Sequence, residues 1–156
     1  MARDGAPPGP LALTIRAEPA SVREALGAVL AHFSLDTDVG GTVELVLAEA
    51  MNNVVEHAYA GAGGTMDLAL SPRRDGLLCE LRDRGAPLPD GRMPLGRAMP
   101  ADVPLPDIPE GGFGWFLIRQ LAHELSHYRH DTERGPENVL TFRLAIGGAC
   151  PSGAPP

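Results

Sequence analysis

The spacing of the apolar residues changes at the glycine cluster of residues 61–64, and this change constrains the fold more than any other feature of the sequence. Residues 38–59, before the cluster, carry apolar side chains at three- and four-residue intervals, which predicts a helix with one buried face. Residues 65–71 and 77–83, after it, are strand-like runs around a Gly-containing loop, which predicts a β-hairpin. A helix and a sheet therefore belong to the same fold.

The other segments extend this pattern. Residues 11–17 alternate apolar with other side chains and predict a strand. A capping box at residues 21–24 opens a run with helical spacing, and residues 114–122 predict a further helix. Residues 125–131 and 139–145 predict two closing strands. The expected fold class is α+β: a two-layer α/β sandwich whose mixed, mostly antiparallel sheet is covered on one face by helices.

Segments rich in Gly and Pro set the expected domain limits. Residues 1–10 and 146–156 lack periodicity and are expected to be flexible tails. The chain has 156 residues, the length of one domain, which we place at residues 11–145. Within it, residues 84–112 have neither helical nor strand periodicity, and so long a stretch predicts a functional loop or lid.

The charge balance excludes several functions. The net charge is −7 and all 13 basic residues are arginines, which excludes Lys-dependent chemistry such as a Walker-type phosphate loop. An acidic chain without a basic stripe is not expected to bind nucleic acid. No apolar run approaches the ~20 residues that span a bilayer, so no membrane contact is expected. The first ten residues contain no apolar signal-peptide core, and the expected location is the cytoplasm.

Three polar residues share one edge of the predicted helix over residues 38–59. Glu49, Asn53 and His57 are spaced by four residues and therefore lie one above the other beside the apolar stripe. A carboxylate one turn from a carboxamide offers the oxygen ligands that suit Mg²⁺. The same spacing is typical of a solvated polar face, and the residues alone leave both interpretations open.

Two short motifs follow this helix. Asp83-Arg84-Gly85 ends a strand, where a carboxylate can accept a hydrogen bond from an exocyclic amine, although such a tripeptide is also common in turns. Gly111-Gly112-Phe113-Gly114 leads directly into a helix, where glycine N–H groups and the helix dipole favour an anion. A glycine cluster of this kind is equally typical of a flexible hinge.

In this order, the three features resemble the nucleotide-binding domain of the histidine-kinase-like, gyrase-type ATPase superfamily. The details are similar to those of the anti-sigma-factor serine kinases of bacterial partner-switching systems. The resemblance covers residues 11–145 and rests on four stretches of sequence: LAEAMNNVVEHAY, LRDRGAPLPD, GGFGWFLIRQLAHEL and ENVLTFRL.

The resemblance implies roles for the residues that would meet the phosphates of ATP. Glu49 matches the general base, and Asn53 matches the ligand of the Mg²⁺ ion that bridges the phosphates. The lid glycines that wrap the phosphates correspond to Gly111, Gly112 and Gly114.

The resemblance also implies an adenine site. Asp83 matches the carboxylate that recognises the adenine amino group, Gly85 lets the base lie close, and Thr141 matches a threonine that supports this site from a late strand. Two departures stand in the same region. Ala86-Pro87 replaces an expected second glycine, and Asn138-Val139-Leu140 precedes Thr141 where the wider superfamily has Gly before Thr.

The function implied is that of an ATP-dependent serine-protein kinase and anti-sigma-type regulator. Its implied cofactors are ATP and Mg²⁺, and its implied substrate is a serine on a STAS-type anti-anti-sigma protein. A sigma factor or another response regulator is a further expected partner, and a homodimer is one assembly open to the family. The alternative is a nucleotide-responsive module that sequesters a partner without phosphorylating it.

A second motif points to a different chemistry. His123-Glu124-Leu125-Ser126-His127 fits the H-E-x-x-H pattern, in which two His one helical turn apart bind Zn²⁺ and the Glu acts as the base. This minor alternative, a zinc hydrolase, requires that the helix beginning near Gly114 continue through the motif. The kinase-like interpretation ends that helix near His123 and predicts a strand instead.

Overall fold

The computed structural model describes residues 7–96 and 113–146. Across these residues the elements follow the order β1 (Leu11–Arg16), α1 (Pro19–Phe33), α2 (Thr37–Asn53), β2 (Thr65–Arg73), β3 (Gly76–Asp83), α3 (Gly114–Leu121), β4 (His123–Thr132) and β5 (Gly135–Leu144). The predicted sequence of helices and strands is confirmed. A π-helix, Val54–Ala58, continues directly from α2, and a 3₁₀ turn, Pro89–Gly91, lies in the loop after β3.

The strands form one sheet in the order β1-β2-β3-β5-β4, and every pairing between described neighbours is antiparallel. Because β3 lies beside β5, Asp83 stands directly opposite Asn138. This register brings the last residue of β3 beside the start of β5, at the end of the two strands where a pocket opens.

The helices cover one face of the sheet, as predicted. The apolar stripe of α2 includes Val43, Val46 and Leu47, each at most 1% exposed. It packs with sheet residues on alternate positions of the inner strands, including Leu68 and Phe142. Burial of these two apolar surfaces against each other gives the two-layer α+β architecture.

Two local predictions are wrong. The capping box at residues 21–24 does not open α1, because the helix begins at Pro19, two residues earlier, and the Ser21 hydroxyl donates to the Glu18 carboxylate. Proline suits this first position since its missing N–H would have no partner there. The hairpin loop predicted at residues 72–76 is shorter, because Arg73 pairs with Gly76 across a two-residue turn.

The end of α2 differs from the predicted continuous helix. At Val54 the hydrogen bonding widens, and the Tyr59 amide donates to the Val54 carbonyl at 3.0 Å. The Ala58 carbonyl then accepts from the Ala86 amide at 2.7 Å. The Tyr59 hydroxyl donates to the carbonyl of Thr65 and accepts from the amide of Arg84. The π-helix therefore attaches the end of α2 to the loop that follows β3.

The H-E-x-x-H motif lies in β4 and not on a helix. α3 ends at Leu121, and the register shifts between His123 and Ser126, where Glu124 has a φ of 53°. His123 and His127 are therefore not one helical turn apart, and the structure removes the geometry that the zinc-hydrolase alternative requires. Within residues 7–96 and 113–146, no three His, Cys, Asp or Glu side chains form a group suited to a metal ion.

Some predicted segments extend past the described residues. Of the predicted lid, residues 84–96 are described, as a loop with the 3₁₀ turn, and residues 97–112 lie outside the described part. Of the predicted tails, residues 7–10 and 146 are described and carry no helix or strand. In the described part of the chain, no helix is both long and apolar enough to cross a membrane.

Candidate nucleotide site

A pocket of about 460 Å³ opens between the end of α2, the β3–β5 edge and the start of α3. Its volume lies within the range of small-molecule sites, and its wall is mainly apolar with a few polar groups. Apolar lining residues come from every bordering element: Ala50, Val54, Leu81, Pro87, Leu88, Pro94, Trp115 and Leu140. The polar groups on the wall include Asn53, Asp83, His127 and Asn138.

Asp83 is only 8% exposed and lies on the pocket wall. Its Oδ1 accepts from the Gly85 amide at 2.9 Å and from Asn138 Nδ2 at 2.9 Å. Among the described residues, both hydrogen bonds to this carboxylate are accepted by Oδ1. Oδ2 therefore retains its capacity to accept a hydrogen bond from a ligand.

Asn138 is a site residue that the sequence analysis did not select. It is 4% exposed, and it donates to Asp83 while Arg129 NH1 donates to its Oδ1 at 2.8 Å. The signal that could have identified it is the alternation of β5. Asn138 begins the row that continues with Leu140 and Phe142, and a polar residue in a buried row needs a partner.

Thr141 is not among the residues that line the pocket. Leu140 lines the pocket, and neighbouring residues of a strand project to opposite faces of the sheet. Thr141 stands opposite Glu80 on the face away from the helices, the face on which Glu80 pairs with Arg82. Asn138, three residues earlier, lines the pocket.

Gly85 lies against the end of the π-helix. A Cβ at this position would collide with the carbonyl oxygen of Ala58. The Gly85 carbonyl accepts from Arg129 at 3.0 Å, and the next amide, that of Ala86, donates to Ala58. The absence of a side chain at Gly85 is therefore required for the close approach of two backbones at the pocket edge.

Glu49, Asn53 and Gly114 meet beside the pocket. A Cβ added to Gly114 would lie 2.6 Å from Glu49 Oε2 and 3.7 Å from Asn53 Oδ1. Because Glu49 and Asn53 are four residues apart on α2, both lie beside the first residue of α3. Gly111 and Gly112 lie outside the described residues.

The surroundings of Glu49 raise the pKa of its carboxyl. Burial is the main cause that raises the pKa of this half-buried carboxyl, and the negative charge of Glu56 raises it further. Asn53, one turn away, has a buried Nδ2 with no hydrogen-bond partner among residues 7–96 and 113–146. Neither side chain is therefore fully satisfied by the described part of the fold.

Two histidines line the pocket in different surroundings. His57 is exposed, with its Nε2 3.9 Å from a carboxylate oxygen of Glu56. His127 is half-buried, and burial is the main cause that lowers its pKa; the Asp83 charge opposes this effect and the Arg129 charge adds to it. The neutral imidazole of His127 is thus favoured next to the apolar wall.

The rim near Pro94 is held by α3. Arg119 donates from Nε to the carbonyl of Pro94 at 2.9 Å and from NH2 to the carbonyl of Met93 at 2.9 Å. These two hydrogen bonds fix the loop against the helix that begins at Gly114. α3 therefore supplies both the Gly114 contact with Glu49 and the support for this rim.

The pocket and almost all of the sheet and the helical layer lie in a stretch that matches a known family. Residues 13–144 match the model of the histidine kinase-like ATPase domain, and the chain belongs to this family. The family assignment implies the use of ATP and agrees with the resemblance of the four sequence stretches.

Two curated relatives carry kinase names. The chain is 37% identical over 85 residues to serine-protein kinase RsbW of Halalkalibacterium halodurans, covering 53% of this chain and 51% of that protein. It is 34% identical over 94 residues to serine/threonine-protein kinase BtrW of Bordetella bronchiseptica, covering 58% of this chain and 62% of that protein. The matches thus span between about half and three fifths of these relatives.

A solved structure is also similar. The blue-light activated histidine kinase EL346 of Erythrobacter litoralis matches 80% of this chain and 41% of its own, with 19% identity and a TM-score of 0.42.

Proposed function

We propose that the pocket binds ATP, with the adenine at Asp83 and the phosphates toward Asn53 and Glu49. The observation that carries this proposal is the distribution of polar groups along one apolar pocket. An acceptor, Asp83 Oδ2, stands at one end, and the carboxamide of Asn53 lies on the wall, one helical turn from Glu49. Adenine has an exocyclic amine that can donate to Asp83 Oδ2. Its apolar faces suit the apolar wall between Asp83 and Asn53.

The chemistry of the Asn53 side chain suits Mg²⁺. The Asn53 side chain has a buried Nδ2 that the described fold leaves without a partner, which costs stability unless a ligand engages the group. The Oδ1 of the same amide is an oxygen of the kind that Mg²⁺ prefers as a ligand. Asn53 would hold the ion, and the bound ion would neutralise charge on the phosphates.

Glu49 is proposed as the general base for a serine hydroxyl. It is held one helical turn from Asn53 and against Gly114, so its carboxylate lies near the region proposed for the phosphates. A raised pKa brings a carboxyl nearer to the operating pH and makes it a stronger base. Glu49 would accept the hydroxyl proton while the positioned serine receives the γ-phosphoryl group.

The complete proposal is a serine-protein kinase that phosphorylates a STAS-type anti-anti-sigma protein and acts as an anti-sigma-type regulator. The kinase names of both curated relatives support the activity, at modest identity over between about half and three fifths of each protein. The STAS-type substrate and the sigma factor rest on the resemblance of the four sequence stretches.

The test is incubation of the purified chain with Mg²⁺, ATP and a STAS-type protein encoded near it, followed by mass spectrometry of the substrate. Stoichiometric phosphoserine on the STAS protein is expected. The competing binding module predicts a stable complex that depends on nucleotide and contains no phosphoserine. Lack of both phosphoserine and a complex would reject the proposed partner.

Gly114→Ala is expected to slow phosphorylation about tenfold or more while leaving the fold intact. The new methyl group would lie 2.6 Å from Glu49 Oε2, so the carboxylate must move away from its position. Alanine also favours the helix, by up to about 1 kcal/mol over glycine. Initial rates and thermal unfolding midpoints should therefore change in opposite directions.

The matched control is Gly41→Ala on α2, where a Cβ meets no atom within 4 Å. This variant should gain stability for the same reason and keep the wild-type rate. A Gly114→Ala protein that phosphorylates at the wild-type rate would show that the Glu49 carboxylate need not stay where the structure has it.

Glu56→Gln is expected to move the acid limb of the rate–pH profile to lower pH. The Glu56 charge raises the pKa of Glu49, so its removal lowers that pKa and keeps the base ionised in more acidic solution. Initial rates measured across the acid side of neutrality test this. Glu44→Gln, the same change at an exposed position of α2, is the control, and an unshifted limb in Glu56→Gln would contradict the assignment of Glu49 as the titrating base.

A further inference from the structure

A series of side-chain hydrogen bonds crosses β4, β5 and the end of β3 next to the pocket. Arg129 donates from NH1 to Asn138 Oδ1 at 2.8 Å and to the Gly85 carbonyl at 3.0 Å. Asn138 donates from Nδ2 to Asp83 Oδ1 at 2.9 Å and to the Ala86 carbonyl at 3.0 Å. Arg129 lies on the edge strand β4, and its side chain is linked to Asp83 through one buried carboxamide.

The partners of Asn138 fix the orientation of its amide. One end faces the guanidinium of Arg129, which can only donate hydrogen bonds. The other end faces the carboxylate of Asp83 and the carbonyl of Ala86, which can only accept them. The reverse orientation would set N–H against N–H and oxygen against oxygen, so only one orientation satisfies the group.

This orientation determines which oxygen of Asp83 is available to a nucleobase. The N–H groups of Gly85 and Asn138 both occupy Oδ1, so Oδ2 is the acceptor left for the pocket. A purine with an amino group at C6 donates to such an acceptor. A purine with a carbonyl at C6 instead presents an oxygen to the carboxylate and is disfavoured.

We propose that Arg129 is a positioning residue for the selection of 6-aminopurine nucleotides, acting through Asn138 on Asp83. This inference rests on the proposed nucleotide site and adds the residues that set its base selectivity. Without the guanidinium, Asn138 Oδ1 loses its donor, and the amide is held only by its Nδ2 bonds to Asp83 and to the carbonyls of Gly85 and Ala86. The Asp83 carboxylate then rests on a less firmly fixed amide, and its free acceptor no longer keeps one direction.

The test compares the binding of ADP and inosine diphosphate to the full chain by calorimetry in the presence of Mg²⁺. Inosine diphosphate carries a carbonyl at C6 where ADP carries the amine. The wild type should prefer ADP by about tenfold or more, the usual effect of losing a hydrogen bond to a charged group. Arg129→Met, which keeps an unbranched side chain without donors, should lose most of this preference. Arg129→Lys, with a donor restored, should recover part of it.

Arg134→Met is the matched control, because Arg134 is exposed in the turn of the same hairpin and the charge change is identical. It should keep the wild-type ratio of affinities. A second variant, Asn138→Asp, keeps an acceptor for Arg129 but sets a carboxylate against Asp83, and should lose ADP binding by about tenfold or more.

The alternative role of Arg129 is structural support of the loop through the Gly85 carbonyl. That role predicts a lower thermal unfolding midpoint and equal weakening of both nucleotides, so an unchanged ratio in Arg129→Met overturns the inference. Wild-type ADP affinity in Asn138→Asp overturns it as well. Failure of the wild type to bind ADP would reject the nucleotide site itself, and the inference with it.

Discussion

Glu49→Gln is expected to reduce the phosphorylation rate by about 10²–10⁴-fold, the usual contribution of a general base. The substitution keeps the shape of the side chain and its contact with Gly114, but the neutral carboxamide cannot accept the serine proton. A base acts mainly in the transition state, so the affinity for ATP should remain within about threefold of the wild type. Single-turnover phosphorylation and nucleotide titration on the same preparation measure both quantities.

Asn53→Ala provides the contrast to this result. Asn53 lies one turn along the same helix edge and is proposed to hold Mg²⁺, so its loss should weaken Mg²⁺-dependent ATP binding as well as slow the reaction. Glu44→Gln on the exposed side of α2 is the charge-matched control. If Glu49→Gln phosphorylates the STAS protein at the wild-type rate, Glu49 is not the base.

Asp83→Asn is expected to weaken ADP binding by about 10²-fold or more, since it replaces an acceptor by a donor at the base. Two N–H groups, from Gly85 and Asn138, point at Oδ1. The carboxamide introduced at this position must therefore keep its oxygen at Oδ1 and turn its NH₂ group into the pocket. There it meets the amine of adenine, donor against donor.

Asp67→Asn is the control for this prediction. Asp67 is exposed on β2, and its Oδ1 accepts from the hydroxyl of Thr14 on the face of the sheet away from the pocket. The same loss of charge there should leave ADP affinity unchanged. If wild type and Asp83→Asn bind ADP with equal affinity in calorimetry, and the fold is preserved, the adenine must bind in another part of the pocket.

The elements that depend on local periodicity were predictable from the sequence. The stripe of α2 sets its buried face, and the four-residue spacing of Glu49 and Asn53 follows from the helix alone. The sequence also identifies Asp83 as the end of a strand that precedes a glycine. These features need no knowledge of which strands are neighbours.

The remaining features of the site depend on contacts between distant segments. The role of Thr141 comes only from the resemblance, because the register and facing of β5 relative to β3 cannot be obtained from either strand alone. The same information places Asn138 opposite Asp83 and Arg129 beside Asn138. The π-helix after Asn53 was not predicted, because the apolar spacing of residues 54–58 is compatible with an ordinary α-helix.

The position of Trp115 has a practical consequence. It is the sole tryptophan of the chain, and its side chain borders the pocket next to the start of α3. Indole emission changes with the polarity of its surroundings, so the whole tryptophan signal of this protein originates at one wall of the pocket. Ligand entry and departure can therefore be followed optically, in real time and without a dye, even in mixtures with any partner that lacks tryptophan.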